Sequence, residues 1–79
     1  MEYTSQEEKL AIEIAEALDD VKSLKTHLLF AKQYSESFLR EKLEIVLKTP
    51  KEDIRKSRAA YYTYLVTQHA IYRKHYPRG

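Results

Sequence analysis

Three features of this sequence predict an all-α fold, a small compact bundle of about four helices. Helix-capping patterns recur along the chain, apolar residues recur at spacings of three and four, and turn formers are scarce, with one glycine and two prolines. That scarcity also argues against a hairpin-rich β fold, whose tight turns need glycine. At 79 residues the chain has room for a single domain, 1–79, because one core uses most of it. The expected helices span about 5–19, 21–34, 36–48 and 50–75.

The first helix is expected to start at Thr4 or Ser5. Ser5 and Glu8 have capping-box spacing, and Glu7 and Glu8 suit the positive end of a helix. Leu10, Ile14, Ala17 and Val21 form a helical stripe that continues through Leu24, Leu28 and Ala31. Two readings follow. A single helix over 5–33 would be about 43 Å long at 1.5 Å per residue, longer than a small domain, and its exposed seam would call for a dimer. A break near Asp19-Asp20, with Asp20 or Ser23 capping a second helix, keeps the seam inside one molecule. The break is preferred, because Asp and Ser favour caps over helix interiors.

Ser35 or Ser37 is expected to cap the third helix, which carries Phe38, Leu39, Leu43, Val46 and Leu47. Thr49-Pro50-Lys51-Glu52 combines a cap residue, a proline suited to the first helical position and a capping-box glutamate, which predicts a new helix from Pro50. On that helix Ile54, Tyr61, Leu65 and Tyr72 fall on one stripe. Tyr62 and Val66 flank it on one side, Tyr64 and Ile71 on the other. Lys56, Thr63, Thr67 and Lys74 lie opposite. Its end is expected near His75, before Pro77 and Gly79.

Net charge is +2, but the charge is segregated. Residues 1–20 carry seven acids against Lys9, a net −6, and residues 21–79 carry 13 bases against five acids, a net +8. Such a dipolar chain points to a polyanionic partner or to acidic-on-basic packing.

Enzymatic constellations are poor. The acids of the first helix read as a solvated face. His27, His69 and His75 are dispersed, and cysteine is absent, so no metal site is expected. With Gly79 the only glycine, a glycine-rich phosphate loop is excluded. The chain is therefore read as non-enzymatic and without a cofactor. No apolar run approaches the roughly 20 residues of a membrane span. The start MEYTSQEEKL lacks the basic and apolar regions of a signal peptide, so no membrane association and a cytoplasmic location are expected.

Lys48, Lys51, Arg55, Lys56 and Arg58 are the candidate nucleic-acid-binding residues. They cluster where the third and fourth helices meet, and residues 36–75 read as a helix-turn-helix-like pair that would place Arg55 and Arg58 near DNA. Arginine suits phosphate and the guanine edge because its fork donates two parallel hydrogen bonds. Glu44 and Lys48, however, stand where such units favour small residues. The expected function is a small DNA-binding module, an accessory factor in replication or transcription. The alternative is a protein-interaction or homodimerisation module using the tyrosine-rich last helix, with Tyr62 and Tyr64 on its surface, and the acidic first helix.

Overall fold

The computed structural model describes residues 3–68, which form four α-helices and no strand element. They are α1 (Ser5–Ala17), α2 (Leu24–Gln33), α3 (Glu36–Lys48) and α4 (Arg58–Thr67), with 3-10 turns at Val21–Ser23 and Lys51–Asp53. The fold is a small all-α bundle. Residues 69–79, where the fourth helix was expected to continue past Ile71 and Tyr72 to His75, lie outside the described residues.

The capping box of α1 sits one residue earlier than the Ser5–Glu8 pair. Thr4 Oγ1 accepts the Glu7 N–H and Glu7 Oε1 accepts the Thr4 N–H, both at 3.0 Å. Both pairs have the required spacing, so spacing alone does not choose between them. The helix ends in a Schellman motif. Asp19 adopts the left-handed conformation (φ 55°), its N–H donates to Glu16 O, and the Asp20 N–H donates to Ala15 O at 2.8 Å. This break separates α1 from α2, turns the apolar stripe back on itself and removes the need for a dimer along a long seam. Neither Asp20 nor Ser23 caps α2 through its side chain. The Asp20 carboxylate instead accepts from His27 Nε2 at 3.0 Å. Val21, read as part of the stripe, is exposed.

Tyr34 and Ser35 connect α2 to α3. Ser35 Oγ accepts the Phe38 N–H at 3.3 Å, while Tyr34 is buried and stacks on Phe38 with ring centroids 5.3 Å apart. From α3 the core receives Phe38, Leu39, Leu43 and Val46, whereas Leu47 is 44% exposed.

The expected helix start at Pro50 is overturned. Thr49 starts no new helix; it is the C-cap of α3, and its Oγ1 donates back to Ile45 O at 2.7 Å. After Pro50 there is only the 3-10 turn. Ile54 then returns to extended backbone, and α4 begins at Arg58, with Ser57 Oγ accepting the Ala60 N–H at 3.0 Å. The reason is apolar content. Residues 50–57 offer Ile54 as their one aliphatic side chain, and a short helix without an apolar face gains too little packing to offset its nucleation. The 49–57 connection is also longer than the three or four residues of a helix-turn-helix, so α3 and α4 are not such a pair.

With Ile54 outside the helix, the stripe counted from it has the wrong phase. Tyr62 and Val66 are the fully buried residues of α4, and Tyr61 and Leu65 are only partly buried. Tyr62 therefore does not belong to an interaction surface. It is 0% exposed, its ring lies 5.8 Å from His27 and 6.3 Å from Phe30, and Phe30 in turn meets Tyr34 edge-on at 5.8 Å. This chain of rings joins α4 to α2 and, through Tyr34 and Phe38, to α3. Leu10, Ala11, Ile14 and Leu18 of α1 and its cap complete the same core.

Two predictions follow from these caps and this packing. Ser57→Ala should lower the unfolding free energy by about 0.5–2 kcal/mol, the usual worth of a serine cap. Thr49→Ala should cost less, and equal urea midpoints for the two would mean that Ser57 does not start the helix. The Tyr62 hydroxyl is buried and has no hydrogen-bond partner among the described residues. Tyr62→Phe should therefore raise stability, by up to about 1–3 kcal/mol, whereas Tyr62→Ala should cost about 3–5 kcal/mol through the cavity it opens. Urea denaturation of both variants tests this, and a destabilised Tyr62→Phe would show that the hydroxyl is satisfied.

Candidate nucleic-acid interface

The 49–57 connection crosses the end of the bundle where α3 stops and α4 starts, and it carries most of the candidate basic residues. Lys51 lies in the 3-10 turn, Arg55 and Lys56 follow on the irregular stretch before Ser57, and all three are exposed. None of the three makes an ion pair among the described residues. Lys48 closes α3 and pairs with Glu44 one turn back, at 3.5 Å. Arg58, the first residue of α4, is half-buried, and its Nε is buried without a hydrogen-bond partner among the described residues. The five candidate bases thus differ. Three are open to an anion, one is shared with a glutamate and one is partly engaged in packing. Glu52 and Asp53 are exposed in the same loop, so residues 51–58 hold four bases against two acids.

Two clefts flank this loop. The larger, about 420 Å³, lies between Asp53–Ser57 and the Ala60, Tyr61 and Tyr64 face of α4. A smaller one, about 210 Å³, is lined by Lys51, Ile54, Lys56, Ser57 and Arg58. Tyr64 is 58% exposed, and its phenol oxygen accepts from Gln68 Nε2 at 2.6 Å, a bond that restrains the ring. Of the two tyrosines expected on a surface, only Tyr64 is there. Tyr61, Ile54 and Asp53 were not among the candidate site residues. Their place in the cleft depends on the loop's departure from helix, which no local pattern announces.

Arg40 shows what happens to a base where the acidic first helix is in reach. Its Nη1 and Nη2 donate to the two carboxylate oxygens of Glu13 on α1 at 2.8 and 2.9 Å, and its Nε donates to Glu36 at 2.7 Å. The hydrogen bond from Arg40 and its charge hold the Glu13 carboxyl below the usual glutamate range. This bidentate pair ties α1 to α3.

His27 is 2% exposed, its Nε2 lies 3.0 Å from the Asp20 carboxylate, and its Nδ1 has no partner among the described residues. A His–carboxylate pair is a component of acid–base sites, but His27 lines none of these clefts. It packs between Phe30 and Tyr62 in the core. No group of three potential metal ligands occurs among the described residues, and His69 and His75 lie outside them. No helix among the described residues is long and apolar enough to cross a membrane.

No protein-family model matches this chain, and no curated protein or solved structure matches it.

The Glu13–Arg40 pair has a signed pH dependence. Glu13 ionises more readily in the folded state than in the unfolded chain. Its contribution to stability is therefore present above the unfolded value and lost as the pH falls through the lower, folded one. Both groups are solvent-exposed, so that contribution is less than about 1 kcal/mol and shrinks with salt. Thermal unfolding should show Glu13→Gln less stable than the parent chain at neutral pH, with the gap closing in acid. A gap independent of pH would exclude the pair as its cause.

Proposed function

We propose that this chain is a non-enzymatic nucleic-acid-binding module that docks phosphates on the loop between α3 and α4. The observation that carries this reading is the exposure of Lys51, Arg55 and Lys56 on one short loop without carboxylate partners among the described residues, whereas Arg40 and Lys48 are already paired. A paired cation has exchanged part of its counterion atmosphere for a protein carboxylate. An unpaired one releases a counterion when phosphate replaces it, and that release drives non-specific nucleic-acid binding. The packing of Arg58 makes it a weaker contributor, and Glu52 and Asp53 on the same loop oppose the attraction. Such a module suits an accessory role in replication or transcription. The alternative, association with a protein through surface tyrosines, retains Tyr64 but loses Tyr62 to the core.

Three phosphate contacts predict a log–log salt slope of about −3 on duplex DNA, at roughly −0.9 per contact. Replacing Arg55 and Lys56 together by Ala should flatten the slope by about two units and leave the helical circular dichroism spectrum unchanged. An unaltered slope would move the site elsewhere. Absence of binding to any nucleic acid at about 50 mM salt, where the electrostatic attraction is strong, would reject the reading.

A further inference from the structure

We infer that the cleft between Asp53–Ser57 and α4 receives an unpaired base, so that the nucleic acid this module binds is single-stranded. The inference rests on the proposed function and specifies its substrate class. The cleft has an aromatic and aliphatic lining from Tyr61, Tyr64 and Ile54, with Arg55 and Lys56 among the residues that border it. Those are the two components of single-strand recognition, a surface on which a base can stack and cations that track the backbone. Its volume, about 420 Å³, lies in the lower part of the roughly 300–1,000 Å³ range of small-molecule pockets, which suits one base and its sugar.

Charge orients the occupant. Asp53 on the lining repels phosphate and accepts from a base N–H, while Arg55 and Lys56 attract phosphate. The bond from Gln68 to the Tyr64 oxygen restrains that ring before anything binds, which lowers the ordering cost of stacking. Duplex reading is disfavoured on the same geometry. Arg55 and Lys56 precede α4 rather than projecting from its face, and the Nε of Arg58 is buried, so the first turn of α4 does not present these bases as a row of base-reading side chains to a major groove. A duplex would also have to break a base pair to fill the cleft.

The experiment compares a labelled single strand, the same strand with abasic sugars and the corresponding duplex at one salt concentration. The proteins are the parent chain, Tyr64→Ala and Tyr64→Phe, each with its helical spectrum checked. The parent chain should prefer the intact single strand, whether deoxyribo or ribo, and its tyrosine emission should be quenched on binding. Tyr64→Ala should weaken that binding roughly 5- to 150-fold, the range of base–aromatic stacking, and leave duplex binding unchanged. Tyr64→Phe should retain it. The abasic strand should bind the parent chain as weakly as the intact strand binds Tyr64→Ala, a comparison that does not depend on any variant folding.

Equal affinity for all three nucleic acids, with no effect of Tyr64→Ala, would overturn the inference. It would leave the phosphate-docking loop standing if the Arg55/Lys56 double variant still flattened the salt slope. No binding to any of them would remove both.

Discussion

The burial of Tyr62 against His27 and Phe30 sets the rest of the structure. A side chain this large, sealed from solvent, fixes the rotation of α4 about its own axis. Once Tyr62 and Val66 point inward, Tyr61 falls at the margin of the core and Tyr64 outside it, both toward the loop. Arg58, one turn before Tyr62, is drawn against the bundle. The geometry of the 49–57 loop follows from two fixed ends, the last turn of α3 at Val46 and the docked face of α4. The cost is a phenol oxygen without a partner among the described residues, and burial pushes its pKa up. The packing of the ring outweighs that cost, since removing an aromatic side chain from a core costs more than leaving one hydroxyl unsatisfied.

Much of this architecture was legible in the sequence because it depends on short-range chemistry. The break at Asp19-Asp20, the Ser35 cap and the helical class all rest on residues whose preferences are satisfied within a few positions. The failures came where local chemistry was ambiguous. Thr49-Pro50-Lys51-Glu52 has the residue types of a helix start, but cap chemistry only permits a helix, and an apolar face must then retain it. Ile54 alone does not supply one. A stripe counted from Ile54 therefore has the wrong phase along α4, although Tyr64 stays on the surface in either phase. The misplaced helix start turned Tyr62 from a core residue into a surface one and hid the cleft, because a cleft bordered by extended backbone has no signature in a helical wheel. The basic candidates were easier to find, since charge is visible in composition. Pairing was only partly visible, since Lys48 and Glu44 stand one helical turn apart in sequence whereas the partners of Arg40 include Glu13, distant in sequence.

The segregation of charge acquires a structural meaning from those pairs. Glu13 of the acidic first helix reaches across to α3 and takes up Arg40, and within α3 Glu44 takes up Lys48. The 51–58 loop carries its own acids, Glu52 and Asp53, yet neither pairs with Arg55 or Lys56 among the described residues. Long-range dipolar character thus reduces to a local difference between bases that are neutralised within the fold and bases that are not.

The loop is closed at both ends by the core, and that closure ties its shape to a contact far away in the chain. Residues 31–61 form a circuit that is completed only when Tyr62 seats against His27 and Phe30, so undocking α4 releases the loop and dissolves both clefts at once. Thermodynamic linkage makes the dependence mutual. A ligand that binds only the closed form raises the free energy of undocking by RT ln(1 + [L]/Kd). Amide protons of α4 distant from the loop would then report on its occupancy through slowed hydrogen exchange, although they never touch what is bound.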